Sequence, residues 1–152
     1  SGALTVVDAC GPALRAALGL GVDVIKPNRE EAEEVLGFKL SSRARLIKGL
    51  RTFAGYGIKK VLISLGRDGM AASDGVNEFF VRVPVVSRGH MVGCGDAALA
   101  GFLAEYLRGR GLAACAARAA ACGQANALAD IPGGIDKNDI RHAFMRRKVT
   151  WL

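Results

Sequence analysis

A short glycine-containing turn at residues 93–96 combines the residue types that phosphoryl transfer requires. Gly93, Cys94 and Gly95 lead directly into Asp96 and an apolar helical pattern. Glycine lets the backbone turn tightly and approach a ligand, and the start of a helix offers unpaired N–H groups and a positive dipole end to an anion. A carboxylate there can take a proton from a hydroxyl while the amides stabilise a phosphoryl group. An ordinary turn with an acidic first helical turn is the alternative.

A second polar segment follows a strand-like run at residues 22–26. It reads Lys26-Pro27-Asn28, with Glu31 three residues further on. Open α/β sheets bind ligands at the carboxyl ends of their strands, so this segment is a candidate binding site. The spacing of Asn28 and Glu31 also predicts a capping box at a helix start. The two interpretations are compatible, because a cap fixes the side chains that a ligand would meet.

Two further segments are candidates for ligand contact. The run Ser64, Leu65, Gly66, Arg67, Asp68 and Gly69 follows a buried strand pattern at 61–63, and an ordinary strand-to-turn connection is its alternative interpretation. Asn126 lies in an alanine-rich helical stretch, where a polar residue on a helix surface is equally consistent with the pattern.

Alternating strands and helices must position these residues. The patterns predict strands at 4–8, 22–26, 60–65, 70–73 and 78–83, and helices at 12–20, 28–36, 42–56, 96–107, 112–129 and 136–147. Asp74-Gly75 predicts a hairpin turn between the fourth and fifth strands. This order predicts a single α/β domain with a mostly parallel sheet, an antiparallel margin and covering helices.

The composition excludes several classes of protein. Hydrophobic residues make up 51% of the 152 residues, which predicts a globular domain. No apolar run reaches the ~18 residues that a membrane span needs, and the first residues lack the pattern of a signal peptide. The chain also opens on strand-like residues without an initiator Met, so we expect it to lie within a longer protein.

Cysteine and histidine usage argues against a zinc site, because the four cysteines form no C-x-x-C pair and only two histidines are present. Cys115 and Cys122 are expected to face the core, and reduced thiols predict a cytoplasmic protein. The net charge is +7. It favours phosphate-bearing ligands, whereas no motif predicts nucleic-acid binding. A basic cluster near residue 147 is predicted to be a solvated helix face and consists of Arg141, Arg146, Arg147 and Lys148.

Together, these segments resemble the motifs of the ribokinase-like (PfkB) sugar kinases. Gly-Cys-Gly-Asp at 93–96 is similar to the family's Gly-Ala-Gly-Asp, residues 26–31 to Lys-Pro-Asn-x-x-Glu, and residues 64–69 to Ser-Leu-Gly-x-x-Gly. The motifs follow one another in the family order. The Lys-Pro-Asn start is most similar to the phosphofructokinase and tagatose-6-phosphate kinase branch, which phosphorylates sugar phosphates.

The resemblance implies a three-layer α/β/α fold and a role for each segment. Asp96 would be the catalytic base, and the amides of Gly93, Cys94 and Gly95 would form an anion hole. ATP would be held by residues 64–69 and Gly95, and Asn126 would border its adenine. The remaining implied contacts concern phosphate and magnesium: Lys26 would meet phosphate, whereas Asn28 and Glu31 would organise Mg²⁺ through water.

Family members are about twice as long as this chain. The resemblance therefore implies the nucleotide-binding C-terminal half alone, without the half that supplies the sugar pocket and lid. We expect this chain to be poorly active alone, to depend on the missing half, or to form a homodimer. His90 and Met91 differ from the family at a segment that contributes to a monovalent-cation site, so potassium activation is not expected to carry over.

Three other functions are weighed against the sugar-phosphate kinase. A non-catalytic nucleotide-binding module would keep the nucleotide contacts and lack the chemistry. A ribokinase-type enzyme would act on an unphosphorylated sugar or a nucleoside. A dinucleotide-binding oxidoreductase is disfavoured because Asp8-Ala9-Cys10-Gly11 does not match the G-x-G-x-x-G fingerprint, and no G-x-x-x-x-G-K-[ST] loop is present either.

Overall fold

The computed structural model describes residues 2–86 and 89–152. In this part of the chain six strands form a single sheet in sequential order. The strands are β1 (Val6–Val7), β2 (Val24–Ile25), β3 (Lys60–Ser64), β4 (Met70–Ser73), β5 (Glu78–Arg82) and β6 (Lys148–Trp151). The helices are α1 (Gly11–Ala17), α2 (Arg29–Leu36), α3 (Arg43–Gly55), α4 (Cys94–Tyr106), α5 (Leu112–Leu128) and α6 (Lys137–Met145). The predicted α/β class is confirmed.

Strands β1, β2 and β3 are parallel, and helices connect them. Val6 pairs with Val24, and Ile25 pairs with Val61. Parallel neighbours place their carboxyl ends at one edge of the sheet, so the residues that follow β1, β2 and β3 lie in a row. This row contains two of the predicted ligand-binding segments, residues 26–31 after β2 and residues 64–69 at the end of β3.

A tight hairpin turn joins β4 to β5, as Asp74-Gly75 predicts. The Asp74 carboxylate accepts hydrogen bonds from the main-chain N–H of Asn77 at 2.8 Å and of Val76 at 3.1 Å. Burial tends to raise the pKa of Asp74, but these donors outweigh it and hold the pKa below its ordinary value. The carboxylate therefore fixes the turn in its charged form.

The chain divides into two compact units. The first unit comprises the residues up to Gly66 together with Ala71–Phe80 and Trp151–Leu152. Its core consists of apolar side chains from the parallel strands and from α1 and α3, and the fully buried members include Leu14, Ile25, Leu50, Phe53 and Ile63.

The second unit comprises Arg67–Met70 and Val81–Thr150, and α4 packs against α5 within it. Small residues allow the close approach of these helices. A Cβ atom added at Gly101 would lie 2.7 Å from Cys122 Sγ and 3.0 Å from the Arg118 carbonyl oxygen. Cys115 and Cys122 are buried, as predicted, and burial raises the pKa of the Cys122 thiol.

The C-terminal end differs from the prediction. The last helix ends at Met145, two residues before the predicted end at 147. Lys148–Trp151 form β6, a strand that the sequence patterns did not predict. The four basic residues do not share a helix face, because Lys148 lies in β6 and the Arg147 guanidinium stacks 3.8 Å from the centroid of the Phe144 ring. The predicted solvated helix face is therefore wrong for these two residues.

Strand β6 ends in contacts that belong to the first unit. The Trp151 ring lies 4.3 Å from the Phe79 ring, and Arg43 donates a 2.9 Å hydrogen bond to the Trp151 carbonyl oxygen. The Leu152 N–H donates to the Glu78 carbonyl oxygen. In residues 2–86 and 89–152, no helix combines the length and the apolar character that crossing a bilayer demands.

Candidate functional site

The turn before α4 depends on glycine in a left-handed conformation. Gly93 has φ 75° and ψ −1° and caps the helix without any side-chain hydrogen bond. L-residues with a Cβ atom disfavour this region, so the glycine is required by the backbone as well as by close ligand approach. The first helical hydrogen bond runs from the Ala97 N–H to the Gly93 carbonyl oxygen at 2.9 Å. The N–H groups of Gly95 and Asp96 therefore lie outside the helical ladder.

Asp96 occupies the third position of α4, next to these amides. Its side chain is exposed, and within the described part of the chain no protein group bonds to its carboxylate. The amides and the dipole at the start of a helix attract negatively charged groups. The geometry thus offers an accessible base beside anion-binding donors.

The N–H and the thiol of Cys94 both contact other protein groups, so this residue is not fully open to an anion. Its N–H donates to the Met91 carbonyl oxygen at 3.3 Å, which closes the turn at residues 91–94. Its Sγ lies 3.3 Å from the His90 carbonyl oxygen and 3.4 Å from Asn126 Nδ2. Of the three predicted anion-hole amides, that of Cys94 is engaged by protein.

The C-terminal end of α5 holds the segment that precedes the turn. The His90 N–H donates to the Ala127 carbonyl oxygen at 3.1 Å, and His90 Nε2 lies 3.0 Å from the Ala129 carbonyl oxygen. A carbonyl oxygen only accepts, so Nε2 carries the proton in this contact. Nδ1 of His90 is buried and has no hydrogen-bond partner among the described residues.

Asn126 lies deeper than the prediction of a base-facing residue suggests. It is 1% exposed, and its Nδ2 donates to the Val92 carbonyl oxygen at 2.8 Å. Its Oδ1 accepts from the Gly133 N–H, also at 2.8 Å. The side-chain amide therefore bonds two loops of the second unit, whereas its predicted contact with adenine stays a prediction.

Close packing of α5 against the start of α4 supports this arrangement. A Cβ atom at Gly123 would lie 3.2 Å from the Cys94 carbonyl oxygen and 3.4 Å from the Ala98 Cβ. A larger residue at 123 would push the two helices apart at the candidate site. No signal other than the run of small residues in α5 predicts this contact.

The predicted residues of the first unit meet at the carboxyl ends of the parallel strands. Lys26 is buried, with a side chain that is 5% exposed, and its Nζ lies 3.0 Å from Asp8 Oδ2. The Lys26 N–H donates to the Val7 carbonyl oxygen at 3.2 Å. No pattern in the sequence predicts this ion pair.

Asn28 and Glu31 form the predicted capping box of α2. The Glu31 N–H donates to Asn28 Oδ1 at 2.9 Å, and the Asn28 N–H donates to Glu31 Oε2 at 2.8 Å. Asn28 also forms an isolated parallel bridge with Ser64, whose N–H donates to the Pro27 carbonyl oxygen. The structure thus brings Lys26, Asn28, Glu31 and Ser64 to one edge of the sheet.

The oxygen donors in this group suit magnesium held through water. Mg²⁺ prefers oxygen ligands and keeps several of its waters, and Glu31 Oε1 is left over by the capping box. Among the described residues no group of three His, Cys, Asp or Glu side chains could bind a metal directly. The donor set therefore fits the predicted water-mediated ion and not a closed protein cage.

The remaining predicted residues form the turn after β3. Leu65 is buried, Gly66 and Arg67 are exposed, and Gly66–Asp68 form a single 3₁₀ turn. Gly69 has φ 119°, and a Cβ atom there would collide with the Val81 carbonyl oxygen. Gly69 is thus fixed by the close approach of the β5 backbone, a packing reason that the motif alone does not reveal.

Known proteins show similarity over nearly the whole chain. The family described as "pfkB family carbohydrate kinase" matches residues 3–130. The 1-phosphofructokinase of Borreliella burgdorferi is 33% identical over 81% of this chain and 40% of its own length. The tagatose-6-phosphate kinase of Staphylococcus epidermidis is 26% identical over 97% of this chain and 49% of its own length.

The fold of this chain is also similar to that of a solved structure. The crystal structure of a candidate phosphofructokinase from Staphylococcus aureus superposes with a TM-score of 0.92 at 28% identity, over 99% of this chain and 49% of that one. The chain spans less than half the length of these relatives. The similarity therefore covers about half of each of these longer proteins.

Proposed function

The chain belongs to the pfkB family of carbohydrate kinases, and from this premise we propose that it forms the nucleotide-binding part of an ATP-dependent kinase for a sugar phosphate. The single observation that carries the proposal is the position of the Asp96 carboxylate. Its carboxylate is accessible and unpaired within the described residues, and it stands beside helix amides that follow Gly93. A base and an anion site in one turn suit in-line phosphoryl transfer.

In the proposed reaction Asp96 accepts the proton of the acceptor hydroxyl. The hydroxyl oxygen attacks the terminal phosphorus, and the bond to the leaving oxygen of ADP breaks. The amides of the 93–96 turn stabilise charge on the transferred group, with those of Gly93 and Gly95 as the main donors because the Cys94 N–H is used within the turn.

The first unit supplies the proposed contacts with nucleotide phosphates and magnesium. Lys26 is proposed to meet a phosphate from its position beside Asp8, and Asn28 with Glu31 offers oxygen ligands for Mg²⁺ through water. When bound, the ion neutralises phosphate charge. Ser64 and the turn that follows it are proposed to line the ATP site.

The acceptor class is proposed to be a hexose phosphate. The relatives named 1-phosphofructokinase and tagatose-6-phosphate kinase support this class, since their names specify phosphorylated sugars. The residues that would read the sugar belong to the half that the similarity does not cover. A partner chain or an upstream half, and a cytoplasmic setting with reduced thiols, are part of the same proposal.

A non-catalytic nucleotide-binding module is the second candidate function. The observation that favours it is the Cys94 N–H, one of the three proposed anion-site amides, which donates to the Met91 carbonyl oxygen and is therefore not open to a phosphoryl group. The module would bind ATP with Mg²⁺ and would not transfer its phosphoryl group.

Calorimetry with Mg·ATP and a coupled assay for ADP release separate the two candidates. The assay compares hexose phosphates, the matching free hexoses and nucleosides, and uses the chain both alone and with whatever flanking sequence its gene encodes. Turnover with hexose phosphates is expected. Turnover with free sugars or nucleosides would change the acceptor class, binding without turnover would favour the module, and no binding would overturn both.

A further inference from the structure

The buried side chain of Asn126 joins the two loops that flank the start of α4. Its amide is held at both ends: Nδ2 donates to the Val92 carbonyl oxygen, and Oδ1 accepts from the Gly133 N–H, each at 2.8 Å. The two partners have opposite hydrogen-bonding roles, since one accepts and the other donates. They therefore fix the orientation of the amide group without ambiguity.

Burial makes this position unusual for a polar residue. The neighbouring residues that α5 buries are mostly alanines, such as Ala119, Ala121 and Ala125, each 0% exposed. An apolar side chain would pack there without any need for partners, whereas a buried amide is tolerated only when its groups are bonded. The local chemistry therefore indicates that Asn126 serves the loops that it bonds.

The bond to Val92 sets the direction of the next amide. In a planar trans peptide the carbonyl oxygen and the N–H point in opposite directions. Because Asn126 holds the Val92 oxygen toward α5, the N–H of Gly93 is turned away from α5. The position of a Cβ atom added at Gly93, 3.5 Å from Asn126 Nδ2, places the glycine in direct contact with this amide.

The other bonds to this segment do not reach the Val92–Gly93 peptide itself. His90, two residues before Val92, is held by the carbonyl oxygens of Ala127 and Ala129. The Cys94 N–H closes the turn by donating to the Met91 carbonyl oxygen, which spans this peptide without bonding to it. Among the described residues, Asn126 is the side chain whose hydrogen bond fixes the Val92–Gly93 peptide.

We infer that Asn126 is a positioning residue: it orients the Gly93 amide toward the transferred phosphoryl group and ties that amide to the loop at Gly133. The inference rests on the proposed phosphoryl transfer for its catalytic meaning. It assigns Asn126 to the geometry of the anion site, and direct contact with the nucleotide base becomes an alternative that experiment can separate.

The structural test uses Asn126→Ala and the isosteric Asn126→Asp, which lacks the Nδ2 donor. Gln124→Ala is the matched control, because Gln124 lies on the same helix and donates its own amide to the Pro84 carbonyl oxygen. NMR order parameters of Gly93 and Gly95 are expected to fall from a rigid value of about 0.85 to below about 0.6 in both Asn126 variants only. Unchanged values in either folded variant would overturn the inference.

The kinetic test separates positioning from base recognition. Both Asn126 variants are expected to lower kcat by roughly 10- to 100-fold with little change in the KM for ATP, since misplacement of an anion-site donor weakens only the transition state. A raised KM for ATP with unchanged kcat and an altered preference between ATP and GTP would assign Asn126 to the base and overturn the inference. If the wild-type chain has no turnover even with the flanking sequence that its gene encodes, the proposed function fails, whereas the order parameters still decide the role of Asn126.

Discussion

Lys26 Nζ lies 3.0 Å from Asp8 Oδ2, and the lysine side chain is 5% exposed while the aspartate is 29% exposed. The charge of the buried Lys26 therefore depends on Asp8 for its compensation more than the charge of Asp8 depends on Lys26. Removing Asp8 leaves a buried ammonium without its counter-charge, whereas removing the Lys26 charge leaves a carboxylate that water can still reach.

Asp8→Asn is accordingly expected to destabilise the fold more than Lys26→Met. The loss for Asp8→Asn is expected to be about 1–3 kcal/mol, below the range for a fully buried pair because Asp8 is partly solvated. Lys26→Met keeps the apolar stem and is expected to cost less than about 1 kcal/mol. Urea denaturation of both variants measures the difference, and the reverse order would show that the ion pair does not hold Lys26.

Substitution of Asp96 is expected to remove catalysis and to leave nucleotide binding nearly intact. Loss of a general base lowers rates by about 10²–10⁴-fold, so Asp96→Asn is expected to reduce kcat by that factor. Asp139→Asn is the matched control, because Asp139 is an acidic residue in the first turn of α6, as Asp96 is in α4. Turnover of Asp96→Asn equal to that of Asp139→Asn would remove Asp96 from the proposed role.

Gly101 is expected to tolerate no side chain. A Cβ atom there would lie 2.7 Å from Cys122 Sγ and 3.0 Å from the Arg118 carbonyl oxygen, so Gly101→Ala forces α4 and α5 apart. Overpacking of this kind costs about 1–3 kcal/mol and outweighs the helix propensity that alanine adds. Gly55→Ala in α3 meets open space and is expected to be neutral or stabilising. Thermal unfolding compares the two variants, and equal melting temperatures would contradict the prediction.

Acid is expected to destabilise the fold partly through Asp23. The hydrogen bond from Lys59, followed by those from the Thr5 N–H and hydroxyl, lowers the pKa of Asp23 below its ordinary 3.8. A carboxylate with a lowered folded pKa contributes stability above its unfolded pKa, and this contribution disappears as the pH falls through the folded pKa.

The unfolding free energy of the wild type is therefore expected to fall between about pH 5 and pH 2 more steeply than that of Asp23→Asn. Urea denaturation at a series of pH values measures both slopes. Lys59→Met, which removes the largest cause of the shift, is expected to give an intermediate slope. Parallel curves for the wild type and Asp23→Asn would contradict the assignment.

Local sequence patterns were sufficient to predict most of the fold, because each pattern depends on residues that are close together in the chain. Asn28 and Glu31 are three residues apart, and the capping box follows from that spacing alone. The Asp74 turn and the alternation of strands and helices are equally local. The α/β class and the parallel sheet were therefore predictable without any knowledge of tertiary contacts.

The missed features depend on partners that are distant in sequence. Strand β6 has the alternation of a strand, Lys-Val-Thr-Trp, but it is only four residues long, directly follows a helical pattern and is exposed along its length, and it exists because β5 pairs with it. Asn126 is 34 residues from Val92, and no pattern in the sequence marks which face of α5 it occupies. The candidate site could be predicted as a set of segments, whereas the way α5 holds the 93–96 turn required the structure.

The assignment of Trp151 and Leu152 to the first unit has a consequence for biosynthesis. Residues 81–150, which make up most of the second unit, are translated before the last two residues of the first unit. The Arg43–Trp151 hydrogen bond spans 108 residues and so forms late in translation. Until then the first unit lacks these two residues, and its Phe79 ring is without the Trp151 ring that packs against it in the folded chain. Transiently uncovered apolar surface of this kind is what exposes folding intermediates to aggregation.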